Sequence, residues 1–459
     1  MTLDERALRA SWADALPEPF WLQQPGRPAA HPALDGDTRA DLVVVGGGFT
    51  GLWTALMAKE RDPRRDVLLI DAGRIAGAAT GRNGGFCSAS LTHGESNGRE
   101  RWPDEYEQLH RMGLENLDEI AATVQRYGID CGFERTGELA VATRPHELAE
   151  YDSSADDFLD AAALRAEVDS PTYLGGSWDR SGTAMIDPAR LAWGLAAAAE
   201  SAGVRIVEHT PVDRLRRGRG SVDVVTASGT ITAQRVALAT NAFTPLLAGL
   251  RFHTVPVWDY VLMTEPLSAE QLDAIGWSNR QGISDSGNQF HYYRLTEDNR
   301  ILWGGYDAIY HFGRRIKPAY EHRDETYQAL ATNFFTTFPQ LDGLRFSHRW
   351  GGVIDTCTRF CAFFGTSHRG RVAYATGYTG LGVGASRFGA NVMLDLLAGT
   401  PTERTRLEMV RRRPLPFPPE PFAWIGITIT TWALKRADRT GRRNLWLRVL
   451  DRLGLGFDS

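Results

Sequence analysis

Lysine is almost absent from this 459-residue chain: apart from Lys59, Lys317 and Lys435, all of its 51 basic residues are arginine. That bias reflects codon usage more than chemistry. Cysteine is scarce as well. Four residues are too few for a disulfide framework, so a reducing compartment and a cytoplasmic location are expected. Net positive charge is lacking, at −5 overall, which leaves no basic footprint for nucleic acid. The first 40 residues carry Asp4, Glu5, Asp14 and Glu18 with no apolar run, so no secretory signal is expected. Long apolar runs are missing too. Pro421–Leu434, the longest uncharged stretch near the C-terminus, has 14 residues, short of the roughly 20 that a transmembrane helix needs. Its apolar positions Phe422, Ile425, Ile429 and Trp432 follow helical spacing, which predicts a helix packed on the protein rather than one lying in a membrane interface. No repeat and no low-complexity segment is visible. What remains is ordinary soluble composition, 43% apolar and 23% charged, with length for two or three domains.

The order of elements is that of an α/β protein interrupted by β-rich segments. Leu42–Val45 is a continuous apolar run of strand length, Thr50–Glu60 has helical spacing, and Val67–Asp71 reads as a second buried strand. Strand, glycine turn, helix and strand within about 30 residues make a βαβ unit with a parallel pair. Helices are expected over Asp104–Tyr127, near Glu147–Glu167, and from Asp187 to Ser201, where Asp187 caps and Pro188 fills the first turn. Strands are expected at Gly137–Thr143, Val204–Glu208, Val222–Thr226, Thr230–Ala233 and Val236–Thr240. From Phe252 to Gly305 the pattern turns β-rich, and Val372–Gly399 returns to strand, glycine turn and helix. The expected organisation is an N-terminal arm (1–39), a Rossmann-like dinucleotide domain (40–95, 180–248 and 347–400), an interleaved antiparallel domain (96–179 and 249–346), and a helical basic tail (401–459).

The first motif with chemistry is Gly46-x-Gly48-x-x-Gly51, between the first strand and its helix, with Asp71 ending the next strand. Gly46 permits the tight turn, Gly48 lets backbone approach a pyrophosphate, and Gly51 lets the helix pack closely on the strand. The helix N-terminus offers free N–H groups to phosphate, and Asp71 can accept from ribose hydroxyls. Gly380-x-Gly382-x-x-Ala385 also joins a strand to a helix, but no strand with a terminal acid follows it. One dinucleotide site, no separate nicotinamide domain and a β-rich second domain fit FAD reduced directly by substrate. The second helix N-terminus can then face the electron-rich end of the flavin. The loop Thr80–Phe86, TGRNGGF, brings Arg82 and Asn83 into a crowded turn with Gly84 and Gly85.

These features together resemble the D-amino-acid oxidase and glycine/sarcosine oxidase superfamily of FAD-dependent amine oxidoreductases. Within it, they are most similar to the γ-glutamylputrescine-oxidase-like branch. The resemblance covers roughly residues 38–400, through VVVGGGFTGL, LLIDAG, TGRNGGF, DPARLAWGL, ATNAF, YYRLTEDNRILWGG, RWGG and GYTGLGVGAS. It implies that Gly46, Gly48, Phe49, Thr50, Gly51 and Asp71 hold the ADP half of FAD. Arg82, Asn83, Gly84 and Gly85 then lie beside the isoalloxazine, with Val212 at the adenine and Thr240 and Asn241 near the pyrophosphate. Gly380, Leu381, Gly382 and Val383 fall at the helix start near the flavin carbonyl, and Tyr260 and Tyr292 fall over the flavin as substrate-positioning residues. No metal is expected.

Two departures from the family pattern bear on substrate. Amino-acid oxidases of this family clamp the substrate carboxylate with an arginine just before the last flavin strand. The matching stretch here, Arg349-Trp350-Gly351-Gly352-Val353-Ile354-Asp355, has glycine near that slot, leaving Arg349 and Arg294 as candidates for a relocated clamp. Sarcosine oxidases carry FAD on a cysteine thioether. Cys357 and Cys361 lie too close to GYTG for that, so non-covalent FAD is favoured. The expected activity is oxidation of a primary or secondary amine by hydride transfer to flavin N5. The imine hydrolyses to a carbonyl product, and O2, giving hydrogen peroxide, or another acceptor takes the electrons. The alternatives are an amino-acid or N-methyl amino-acid oxidase or dehydrogenase, an NADPH-using monooxygenase, and a non-catalytic flavoprotein. His253, His291, His311, Tyr293 and Trp303 are expected to be structural, and Lys317 and the basic tail to be solvated.

Overall fold

The computed structural model describes residues 4–455. Its first sheet grows around Thr38–Val45, whose Leu42–Val45 half is buried on both faces as a central parallel strand requires. Val67–Ile70 pairs with it on one side and Gly229–Leu238 on the other, both parallel. Val204–Val207 and Val372–Thr376 extend the sheet in parallel, and Phe363–Ser367 closes one edge antiparallel. The helices Phe49–Arg61, Tyr106–Tyr127, Pro188–Ser201 and Gly382–Ala398 share one core with it through Leu52, Leu56, Leu117, Leu195 and Val392. On the other face, Val43 and Leu68 pack with Val224 and Ile231 of an antiparallel meander, Val212–Arg217, Val222–Thr226 and Gly229–Leu238.

The second sheet has nine strands. Val255–Thr264 runs at its centre, between Ile301–Gly305 and Phe346–Thr356. His291–Leu295, Gly282–Asp285, Glu138–Ala142, Gly175–Asp179 and Phe158–Asp160 follow in order, all antiparallel except the parallel pair Gly282–Asp285 with Glu138–Ala142. Its two faces differ. Tyr260, Leu262 and Trp303 point into a core with Phe334 of the helix Asp324–Thr337 and with Phe338, which caps its C-terminus. Val261, Met263, Leu302 and Trp350 point the other way, into the core of the parallel domain. The N-terminal arm straps both domains: Leu16 bridges His348, and the Trp21 indole donates to Asn83 O at 2.8 Å.

Several sequence expectations differ from this architecture. The residues 347–356, expected in the dinucleotide domain, pair along Val255–Thr264 and belong to the second sheet. The helix Tyr106–Tyr127, expected in the second domain, buries Leu109, Leu117 and Ile120 in the first. The helix expected near Glu147–Glu167 is broken: Pro145–Leu148 and Ala161–Glu167 flank a strand, Phe158–Asp160. Asp152 accepts from the Ser154 N–H in a turn, and Asp160 restarts the helix by accepting from Ala162 and Ala163. The two strands expected over 230–240 are one, Gly229–Leu238, which carries polar Gln234 and Arg235 across its middle. The helix at the C-terminal uncharged stretch is present, Phe422–Thr440, but it packs through Ala423, Ala433 and Ala437 and turns Phe422, Ile425, Ile429 and Trp432 outward. Small residues let that side approach the protein, and helical spacing alone does not say which side that is. Among the described residues no helix is long and apolar enough to cross a membrane.

Candidate active site

The glycine turn is built by contact. Gly46 has φ +111°, and a Cβ there would lie 2.4 Å from Ala239 O. A Cβ on Gly51 would lie 1.8 Å from Gly46 O, so only glycine lets Phe49–Arg61 sit on the strand end. Gly48 is the N-cap, and the Thr80 hydroxyl accepts from Phe49 N at 3.1 Å. Asp71 accepts from Gly47 N at 2.6 Å and Gly73 N at 2.7 Å, while burial raises its pKa against those amides. His209 N donates to Gly73 O and Thr210 N to Asp71 O, which carries the chain past Asp71 to Val212. Thr240 and Asn241 follow Ala239 beyond the strand end, and Asn241 Oδ1 is buried with no partner among the described residues.

A second helix N-terminus converges on the same region. Gly377 N donates to Asp355, whose pKa burial pushes up to about 6. Gly380 at φ +94° and Gly382 would each carry a Cβ into open space, with nothing within 4 Å. Leu381 caps the helix Gly382–Ala398, and Val383 lies in its buried first turn. Thr50 Oγ1 is 3.1 Å from Tyr378 OH, which ties the two helix starts together.

The Arg82–Gly85 loop lies between these helices and the second sheet. Arg82 pairs with Glu321 at 2.7 Å and donates to Gly351 O at 2.9 Å. Asn83 donates to Ala79 O and Thr80 O and accepts from Gly85 N, so it locks the loop from inside. The Trp350 indole donates to Arg82 O at 2.9 Å. A Cβ on Gly84 would lie 2.7 Å from the Tyr292 ring, and one on Gly85 2.8 Å from an Arg294 nitrogen. The loop glycines thus let backbone press on the sheet.

Tyr292 and Tyr260 are not brought together. The Tyr292 ring faces the loop and Gly304, whereas Tyr260 lies on the opposite face, where its hydroxyl donates to Tyr320 O at 2.8 Å and its ring meets Tyr327. Adjacent residues of a strand point to opposite faces, so Asp259 is the one that meets Tyr292. The Tyr292 hydroxyl donates to Asp259 Oδ2 at 2.5 Å, and the Tyr260 N–H donates to Oδ1 at 2.8 Å. Burial pushes Asp259 up to about 6, opposed by the donors Tyr292 OH, Tyr260 N–H and Gly305 N–H and by the charge of His291. Asp259 forms no ion pair among the described residues. The sequence reading missed both Asp259 and Glu321.

Neither candidate for a relocated clamp is free. Buried Arg294 donates to Ile186 O at 2.6 Å and lies 3.4 Å from Gly85 O, and burial lowers its pKa to about 10. Arg349 is paired with Asp324 at 3.3 Å on the Tyr260 face. His291 is structural, with one ring nitrogen 2.6 Å from Asp285 and the other 3.0 Å from Asn333. All four cysteines are buried and free. Cys357 Sγ lies 3.1 Å from Cys361 O, and burial pushes the Cys361 thiol up to about 12.

A family profile described as FAD dependent oxidoreductase, DAO, matches residues 41–396. The chain belongs to the DAO family of FAD-dependent oxidoreductases. It is 32% identical over 394 residues to γ-glutamylputrescine oxidoreductase of Escherichia coli K12, spanning 83% of this chain and 88% of that one. It is 28% identical to the probable oxidoreductase OrdL of Haemophilus influenzae, over 80% of this chain and 85% of the relative. Glycine oxidase from Geobacillus kaustophilus shares the fold, with a TM-score of 0.66 at 19% identity over 82% of this chain and 99% of that structure. This DAO-family enzyme uses FAD, and its residues fit the cofactor. The glycine cradle, the open space over Gly380 and Gly382, and the unpartnered Asn241 Oδ1 are what a bound dinucleotide would fill or satisfy.

Proposed function

We propose that this enzyme oxidises a primary or secondary amine that carries no α-carboxylate. One observation carries the reading. Where the Arg82–Gly85 loop meets the sheet, the guanidiniums of Arg82 and Arg294 are engaged by protein oxygens, while the carboxylate of Asp259 forms no ion pair among the described residues. A substrate carboxylate there would be desolvated beside a negative group and without a clamp, which is costly. An ammonium would instead complete the Asp259–Tyr292 pair.

Gly46, Gly48, Phe49, Thr50, Gly51 and Asp71 would hold the ADP half of non-covalent FAD, with Val212, Thr240 and Asn241 beside it. Arg82, Asn83, Gly84 and Gly85 with Gly380, Leu381, Gly382 and Val383 would enclose its ring end. When bound, FAD would supply the hydride acceptor and an outlet for the electrons to O2 or another acceptor. The protein orients the amine: Asp259 Oδ2 anchors its nitrogen, and Tyr292 holds that carboxylate in place. The bound ammonium would release its proton to solvent before its C–H bond breaks, so turnover should rise with pH until the bound amine is neutral. Water then hydrolyses the imine to a carbonyl compound and the released amine.

The test is anaerobic bleaching of the flavin absorbance by a panel of simple amines, polyamines, γ-glutamylated polyamines, N-methyl amino acids, and D- and L-amino acids. Amines without an α-carboxylate should bleach fastest. A free α-amino acid as the best reductant would overturn the reading and point to Arg82, released from Glu321, as the clamp.

A further inference from the structure

The C-terminal segment lies beyond the family match, which ends at residue 396, and carries an apolar surface with a fixed direction. The helix Phe422–Thr440 is held on the second domain by its other side. Ala423, Ala433 and Ala437 are buried, Lys435 pairs with Asp307 at 2.7 Å, and Asp438 accepts from the main chain of Asn288 and Gln289. The helix therefore cannot roll to hide its outer face. On that face Phe422 and Trp432 are 67% and 53% exposed, and Trp424, Ile425 and Ile429 are at least 40% exposed. Phe312 extends the patch, 6.3 Å from Trp424. The following helix, Leu445–Arg452, adds exposed Leu445 and Val449, with Leu453 one turn on.

Cations border these residues. Arg436 lies over the Trp432 ring at 5.8 Å and is exposed together with Arg439 one turn on. Arg442, Arg448 and Arg452 are exposed too, and with Arg439 they form no ion pair among the described residues. An apolar, tryptophan-bearing face bordered by unpaired arginines matches a helix lying in a bilayer interface, where rings enter the headgroup layer and guanidiniums meet phosphate.

We propose that this face seats the enzyme on an anionic lipid surface. At 19 residues, with a polar side committed to the protein, the helix lies on a bilayer and does not span it. Charge favours lipid over a second copy of the chain. A two-fold contact would set the patch against itself and bring its arginines together, whereas anionic headgroups neutralise them. The chain as a whole is at −5, so a bilayer attracts the basic tail and repels the rest, which fixes one orientation.

The test is sedimentation of the flavin-loaded full chain with vesicles of phosphatidylcholine alone and of phosphatidylcholine mixed with phosphatidylglycerol. Mixed vesicles should carry down the enzyme, neutral ones far less, and high salt should release it. Ile425→Ser with Trp432→Ser should weaken partitioning roughly tenfold or more. Arg436→Glu with Arg439→Glu should abolish the preference for anionic lipid. Flavin content and turnover in solution should not change, since these side chains face away from the site. No sedimentation, or sedimentation indifferent to both variants, overturns the proposal. So does a concentration-dependent dimer, seen by light scattering without lipid, that Trp432→Ser converts to monomer, because the face is then covered by a second copy.

Discussion

Asp259→Asn separates the two consequences of the proposed placement of this carboxylate beside the substrate. The substitution keeps the size of the side chain and an oxygen that can accept from Tyr292 OH, now 2.5 Å away, and it removes only the charge. A hydrogen bond to a charged group contributes about 1.5–3 kcal/mol. At about 1.4 kcal/mol per factor of ten, kcat/KM for an amine should fall roughly 10- to 150-fold. The pH dependence has a definite sign. Burial holds the acid at about 6, above the ordinary 3.8, so the anchoring anion is lost as pH falls through about 6. Amine binding by the native enzyme should weaken over that range, and the variant should lose that limb. Stability runs the other way. A raised pKa means that the ligand-free fold favours the neutral acid, a contribution complete below the unfolded value and lost as pH rises through about 6. Above that pH the ligand-free asparagine variant should therefore melt higher than the native enzyme, although it binds amine more weakly. Anaerobic stopped-flow reduction from about pH 5 to about pH 8, with Tm measured in the same buffers, reads both. Unchanged amine affinity in the variant, with the limb near pH 6 still present, would refute Asp259 as the anchor.

The two tyrosines should part company. Tyr292→Phe frees Asp259 and should raise KM for amines several-fold with FAD content unchanged, whereas Tyr260→Phe loses only the bond to Tyr320 O, costing about 0.5–1.5 kcal/mol of stability with KM unaltered. Asp71→Ala removes the acceptor for Gly47 N and Gly73 N and should weaken FAD retention by about 1–3 kcal/mol, read as faster flavin loss on dilution. Gly51→Ala forces a Cβ against Gly46 O and should cost about 1–3 kcal/mol or more, with purified protein depleted of flavin. Acid precipitation should release intact FAD from the native enzyme and equally from Cys357→Ser and Cys361→Ser, and flavin retained in the native pellet alone would show a thioether.

Local chemistry was legible wherever the residue type itself states the requirement. Asp187-Pro188 opens the helix Pro188–Ser201, with Asp187 accepting from Ala189 and Arg190 as its cap. Gly51 between an apolar strand and a helix announces close packing, and the contact with Gly46 O bears that out in space. Less legible were the places where two backbone solutions compete. Asp152-Ser153-Ser154 and Asp160 offer side-chain acceptors that break a helix expected from composition. Register across chain segments was not legible either, because what pairs Phe346–Thr356 with Val255–Thr264 is tertiary complementarity and no local pattern.

That Tyr260 lies on the face away from the Arg82–Gly85 loop was not legible, for a specific cause. A strand with one wet face shows which way it points by alternation. Val255–Thr264 is packed on both sides, Tyr260 and Leu262 against one core and Val261 and Met263 against the other, so its apolar residues run on without a period. Matching an aromatic residue to a family position then carries a one-residue uncertainty, and one residue reverses the face. The same burial turns the exception into a signal. Asp259 is the single ionisable carboxylate in VPVWDYVLMT, and an acid in a strand covered on both sides costs stability unless something uses its charge. No arginine or lysine among the described residues pairs with it, and the proposed substrate ammonium would balance its charge when it is ionised.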